Sequence, residues 1–234
     1  MSDIFQLKTR VLYQDDAILI INKPAGIAVQ DDNHGAGLFN RVKEVFNLPD
    51  ACPVHRLDQG TSGIYIVAKN SASAAYLGRM FEQHQVQKYY LALSMDKPKR
   101  KQGWVIGDMV PGRNGNQKLL TSRENPAVTY FFSKSLRPGV RAFALKLFTG
   151  KTHQARVALK SNATPIAGDK RYAGKTAERL YLHAAALQLP LPNGQLLNLH
   201  CWPMSSDGAE WADIDVLFGH SLLDLAWPVQ NMPN

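Results

Sequence analysis

The densest chemistry in the chain lies in the run His55-Arg56-Leu57-Asp58-Gln59-Gly60-Thr61-Ser62-Gly63. It holds a single carboxylate, Asp58, beside an arginine and an imidazole. It opens directly onto residues 64–68 (IYIVA), an apolar, β-branched run that predicts a buried strand. A polar loop anchored on a buried strand can hold a reactive group rigidly, and Asp58 could serve there as a nucleophile or general base. The same residue types also build an ordinary turn, with Asp58 accepting from backbone N–H groups and the glycines supplying special backbone angles. Residue types alone leave both roles open.

A second concentration falls at 145–159 (LKLFTGKTHQARVAL). The pattern predicts a strand over 142–148, a turn at 149–151 and a helix over about 153–162 with Thr152 as its cap. Lys151, His153, Gln154 and Arg156 then cluster at a helix entry. A cation beside a carboxylate favours its ionised form, and Arg156 is the candidate for that task. Residues 88–93 (KYYLAL) read as a strand carrying Lys88 and two adjacent tyrosines. Alternation sends Tyr89 and Tyr90 to opposite faces, so at most one of them can line a site. Plain core packing remains the other reading of Tyr90. The basic run Lys97, Lys99, Arg100, Lys101, followed by Trp104, fits a solvated loop as well as a polyanion contact.

Several elements must position these groups. Strands are expected at 11–13, 17–22, 64–68, 88–93, 128–132 and 142–148, and as a hairpin over 183–189 and 196–201 around Pro192-Asn193-Gly194. Amphipathic spacing predicts helices over about 37–47 and 72–85, the latter capped by Ser71. Residues 95–117 read as irregular. Two short helices are expected near 208–218 and 220–226. Strands and helices mix without a βαβ rhythm, which predicts an α+β fold: a mostly antiparallel mixed sheet with peripheral helices, in one domain over residues 1–234.

Charge narrows the partner. Twenty-seven Lys and Arg stand against nineteen Asp and Glu, a formal +8. From Pro203 onward there are acids (Asp207, Glu210, Asp213, Asp215, Asp224) but no Lys or Arg, so the chain ahead of Pro203 is more basic than the total suggests. Such a field favours a polyanionic partner. The two cysteines, Cys52 and Cys201, form no CxxC pair or zinc-spaced cluster, which argues against a disulfide framework or a metal site. The N-terminus lacks a signal-peptide pattern and no run is long enough to span a bilayer. A cytoplasmic protein with no membrane partner is expected.

Taken whole, HRLDQGTSGIYIVAKN resembles the active-site motif of the RluA-type pseudouridine synthase family, roughly HRLDxxTSGLLLxAK. The likeness continues in order along the chain. Asn22-Lys23-Pro24-Ala25-Gly26 resembles an NKPxG turn. Residues 86–92 (VQKYYLA) resemble VxKxYxA, and LKLFTGKTHQARVAL resembles LxLxTGRTHQIRxHL. Residues 165–172 match PIxGDxxY, and Leu182-His183-Ala184 matches LHA. The resemblance covers about residues 10–203, leaving an acidic extension over 204–234 and no separate N-terminal S4 domain. It implies an enzyme that isomerises uridine in transfer or ribosomal RNA to pseudouridine, and the lack of room for an S4 domain favours a compact stem-loop target. The catalytic carboxylate would be Asp58, the active-site tyrosine Tyr90 and the active-site arginine Arg156. Arg56 would help hold the RNA open, with substrate contacts from Thr61, Lys88, Lys151, His153 and Gln154. His55 is expected to be structural. A monomer is the default.

The chemistry suits these residue types. The N1–C1′ bond breaks, the base turns, and C5 bonds to C1′, with no net electron change and so no redox cofactor. The sequence leaves attack at C1′ and attack at C6 both open. A base inside a stem must be extruded, and a tyrosine ring offers it a stacking face worth about 1–3 kcal/mol. Two positions depart from the family pattern. Lys151 stands for an arginine and so loses the planar fork, and Ala158 stands for a histidine. These departures motivate the rival reading, a catalytically silent RNA-binding protein or RNA chaperone. A kinase is excluded by the missing Gly-rich loop and DFG. A glycosidase would need a second carboxylate, for which Asp169 is the candidate.

Overall fold

The computed structural model describes residues 7–32 and 35–229. In chain order the elements are β1 (Val11–Gln14), β2 (Ile18–Lys23), α1 (Leu38–Phe46), β3 (Cys52–Pro53), β4 (Ser62–Ala68), α2 (Ser71–Glu82), β5 (Gln87–Ser94), β6 (Gln102–Gly107), β7 (Met109–Pro111), β8 (Gln117–Leu119), β9 (Ala127–Arg137), β10 (Val140–Leu147), α3 (Gln154–Ser161), β11 (Leu182–Pro190), β12 (Leu196–His200) and α4 (Ile214–Phe218). The α+β class expected from the sequence holds. The chain divides into two compact units. One runs through Val86 and takes up His183–Asp207; the other comprises Gln87–Leu182 and the segment from Gly208 onward.

In the first unit β2 and β4 lie antiparallel and are buried at every position. Burial on both faces explains why they read as continuous apolar runs rather than alternating ones. β1 pairs with β2, β3 with β4, and β12 with β11, all antiparallel, while β11 runs parallel to β4 through His183↔Ser62 and Ala184↔Gly63. The register Lys23↔Gly63 sets the end of β2 against the start of β4, which joins the 23–27 turn to the Asp58 loop. α1 stops at Phe46 because Asn47 turns left-handed (φ 50°) and its N–H meets the carbonyls of Glu44 and Lys43. α2 is capped by Asn70 rather than Ser71. Asn70 is extended, and its side-chain oxygen accepts from the Ser73 N–H at 2.9 Å.

In the second unit the sheet order is β5-β10-β9-β6, all antiparallel, with β7 and β8 forming a separate two-stranded ribbon. The irregular path expected over 95–117 therefore contains two short strands, β6 and β7, and ends where a third, β8, begins. Polar residues and glycine mask the alternation of β6: Gly103 sits at φ 138°, yet Trp104 and Val105 pair in register with Tyr130 and Thr129. The registers place Tyr89, Lys146, Tyr130 and Trp104 side by side on one face, and Lys88 and Tyr90 on the other.

The C-terminal segment covers the aromatic face. The Trp227 ring centroid lies 5.4 Å from Tyr89 and 5.0 Å from Phe132, and Lys134 Nζ sits over the Phe218 ring while donating to the Leu217 carbonyl at 2.9 Å. The helices expected there are shorter than the pattern suggested. α4 and two single-turn 3-10 segments, Ala209–Trp211 and Leu222–Asp224, replace them, because Gly208, Asp213 and Gly219 all adopt positive φ.

Candidate active site

The Asp58 loop is built from backbone bonds. The Asp58 carbonyl accepts from the Thr61 N–H at 3.0 Å, closing a tight turn, and the Gln59 carbonyl accepts from the Gly26 N–H at 2.9 Å. Lys23 is completely buried, and its ammonium donates to the carbonyls of Pro24 (2.9 Å), Ile27 (2.7 Å) and Gln59 (3.1 Å). A charge held out of water must be met by strong acceptors. This one spends its donors tying the 24–27 turn to the Asp58 loop. Leu57 is buried beneath the loop, Asp58 is half-buried and Arg56 is exposed. Thr61 is 2% exposed, so it serves the loop's interior rather than a bound molecule.

Behind the loop sits a histidine pair. His55 Nε2 accepts from the Ile66 N–H at 2.9 Å, and its ring packs on Tyr65 and Phe81, which is the structural role the sequence suggested. His183, fully buried, lies 2.7 Å from Ser62 Oγ through Nδ1 and 2.9 Å from the Cys201 carbonyl through Nε2. A carbonyl can only accept, so Nε2 carries the proton, and in the neutral ring Nδ1 accepts from the Ser62 hydroxyl. This bond locks β4 to β11 where the loop enters the sheet. Gly63 completes the junction at φ 104°, where a Cβ would stand 2.2 Å from the Ala184 carbonyl oxygen.

The second unit holds the other candidates. Tyr90 is half-buried, whereas Tyr89 is 2% exposed on the aromatic face, so the alternation argument separates them as expected. Lys88 is half-buried on the Tyr90 face and donates to the Thr149 carbonyl at 3.2 Å. Burial pushes its pKa down to about 8. Lys151 reaches Asn125 Oδ1 at 2.8 Å.

Gln154 differs from expectation. It is 3% exposed, and its amide accepts from Thr149 Oγ1 (2.8 Å) and the Lys151 N–H (2.9 Å) while donating to the Val128 carbonyl and Thr129 Oγ1 (both 3.0 Å). With both donors and both lone pairs of its amide used internally, it braces the turn instead of meeting a substrate. The cap also differs: Thr152 is exposed, and His153 occupies the N-cap in a left-handed conformation (φ 59°, ψ 18°) with its Nδ1 2.9 Å from Tyr172 Oη.

Arg156, at 8% exposure, forms a two-pronged ion pair with Asp169: Nε to Oδ2 and Nη2 to Oδ1, each 2.8 Å. Its guanidinium carbon lies 5.0 Å from the Tyr172 ring centre. Asp169 is 1% exposed and also accepts from the N–H groups of Arg171 and Tyr172. It is therefore a partner for Arg156 rather than a second carboxylate for glycosidase chemistry. Ala158 is 3% exposed within α3, so the missing histidine leaves a small packed side chain. Sequence reasoning missed Lys23, Asp169, Tyr172 and His183 as working residues. Each sits in a quoted family segment, but its role depends on which carbonyl, carboxylate or strand it meets.

Among the described residues, no helix is long and apolar enough to cross a membrane, and no group of three or more His, Cys, Asp or Glu side chains could hold a metal ion.

The family described as RNA pseudouridylate synthase matches residues 17–161. An uncharacterized RNA pseudouridine synthase of Haemophilus influenzae is 46% identical over 208 residues, which is 88% of this chain and 91% of the relative. The dual-specificity RNA pseudouridine synthase RluA of Escherichia coli O6:H1 is 34% identical over 193 residues, 78% of this chain and 87% of the relative. The solved structure of human RNA pseudouridylate synthase domain containing 1 superposes with a TM-score of 0.71 at 25% identity, covering 85% of this chain and 86% of that one. This chain belongs to the RNA pseudouridine synthase family, the isomerases that convert uridine in RNA to pseudouridine.

Proposed function

We propose that Asp58 is the catalytic carboxylate of this isomerase, with Tyr90 and Arg156 as its active-site partners. The observation that carries this reading is the construction of the Asp58 loop. A buried ammonium, two backbone bonds and a buried strand fix its main chain while the Asp58 side chain stays half-buried rather than sealed in. Rigid support of one carboxylate is what positioned chemistry demands. Asp58 acts as nucleophile or base while the N1–C1′ bond breaks and the C5–C1′ bond forms. The proton on C5 passes to solvent and N1 takes one up, so the step balances without a cofactor.

Tyr90 gives the extruded uracil a stacking face, and the exposed Arg56 helps hold the stem open. Lys88, Lys151 and His153 stand at the turn before α3, where phosphate contacts would orient the RNA without reading its sequence. The target is a uridine in a compact stem-loop of transfer or ribosomal RNA, and the protein acts as a cytoplasmic monomer.

The test uses bulk RNA from cells lacking the gene, carrying tritium at C5 of uridine. The wild-type protein should release tritium. Asp58→Asn should release none above background while binding the same RNA within a few-fold. Turnover retained in that variant would remove Asp58 from the chemistry. RNA binding by the wild type with no release would favour the chaperone reading.

A further inference from the structure

The turn over residues 169–172 touches three things at once. Asp169 clamps Arg156 through Nε and Nη2, with both carboxylate oxygens engaged. Tyr172 lies over the guanidinium, and its phenol oxygen accepts from the Gln117 N–H in β8 at 2.8 Å while lying 2.9 Å from His153 Nδ1. Arg171 donates to the Asn114 carbonyl at the tip of the β7–β8 ribbon and reaches Asn116 Oδ1 at 3.4 Å. Lys160 on α3 holds the Tyr172 carbonyl at 2.9 Å. The ribbon, the α3 entry and Arg156 are thus joined through one short turn whose two key side chains, Asp169 and Tyr172, are 1% and 6% exposed.

We infer that Asp169 and Tyr172 are positioning residues for Arg156, and that they couple the placement of the β7–β8 ribbon to the direction in which that guanidinium points. The inference rests on the active-site role assigned to Arg156 above. A lone arginine side chain samples many rotamers. The carboxylate fork fixes the guanidinium plane, because two parallel N–H···O bonds allow a single orientation. With the Nε edge committed to Asp169, any further acceptor must approach from the Nη side. The phenol ring stacks against the guanidinium and limits tilting. The phenol oxygen is the only polar atom of that ring, so moving the Gln117 N–H or the His153 ring draws on the same side chain that covers Arg156. RNA that shifts or settles the ribbon would then tighten Arg156 without touching it.

The experiment measures single-turnover tritium release with enzyme in excess over the C5-tritiated bulk RNA. It yields a saturating rate and a half-saturating enzyme concentration. Asp169→Asn should lower the saturating rate at least tenfold and move the half-saturating concentration less than threefold. Tyr172→Phe keeps the ring and removes only the ribbon and His153 contact; it should lower the rate about fivefold with an unchanged melting temperature. Arg156→Lys keeps the cation without the fork. If the two residues act through Arg156, adding either change to Arg156→Lys costs little more than Arg156→Lys alone. Rates within twofold of wild type, or losses that multiply in full on the Arg156→Lys background, overturn the inference. If Asp169→Asn does not fold, the Tyr172→Phe pair decides it. A wild-type protein that releases no tritium defeats the functional reading as a whole; an active wild type without these losses defeats this inference alone.

Discussion

Lys88 shows how one residue's surroundings set its pH behaviour. Its ammonium is half-buried against the Thr149 carbonyl, and burial brings its pKa down from the ordinary 10.5 to about 8. Between those values the unfolded chain keeps a proton that the native chain has released. Stability from this group therefore rises as pH climbs from about 8 to 10.5, and the full cost of the buried charge is present below 8. Replacing Lys88 by Met should raise the melting temperature, relative to wild type, more at pH 7 than at pH 10. Thermal unfolding at the two pH values checks this, and an equal difference at both would contradict it. At pH 7 the wild-type side chain is charged, so the phosphate contact proposed for it should fade above about pH 8. Asp58 belongs to the same scale: its carboxylate is a question of chemistry, and Asp58→Asn separates turnover from binding.

At the scale of elements, the Asp58 loop depends on the junction of β4 with β11. Gly63 sits at a φ that side chains resist, against the Ala184 backbone. Gly63→Ala should destabilise the protein by about 2–4 kcal/mol, through backbone strain and a clash that only strand separation relieves. Denaturant unfolding monitored by circular dichroism measures it, and a change below about 0.5 kcal/mol would mean that the strands part easily. The Ser62–His183 bond and the buried Lys23 lie on either side of this junction. In the second unit Gln154 does the comparable work, joining β9, Thr149 and Lys151 through one amide.

At the scale of the whole molecule, charge and covering surfaces matter most. The basic excess lies ahead of Pro203, and the acidic residues that follow belong to a segment whose apolar side chains cover an aromatic face. Phe218 and Trp227 lie against Lys134, Phe132 and Tyr89. The extension is thus part of the packing of the second unit. Removing residues 208–234 should lower the melting temperature and raise binding of a hydrophobic dye, since aromatic pairs are worth about 0.5–1.5 kcal/mol each beyond area burial. A truncated protein with unchanged melting and no added dye binding would show that the cover contributes nothing.

The sequence by itself determined the α+β class, the buried β2 and β4 runs, the split of Tyr89 from Tyr90 and the family, because these follow from periodicity and from short contiguous motifs. It mistook Ser71 and Thr152 for caps; the caps are Asn70 and His153, because the backbone angles at each helix start decide which residue stands there. It lost β6, β7 and β8, whose pairing partners supply what their own composition lacks. Only tertiary structure decided that Lys23 ties two turns together, that Gln154 is spent inside the protein and that Asp169 holds Arg156. Each of these depends on a hydrogen bond between residues separated along the chain, and such a bond is fixed by where the strands and turns finally lie.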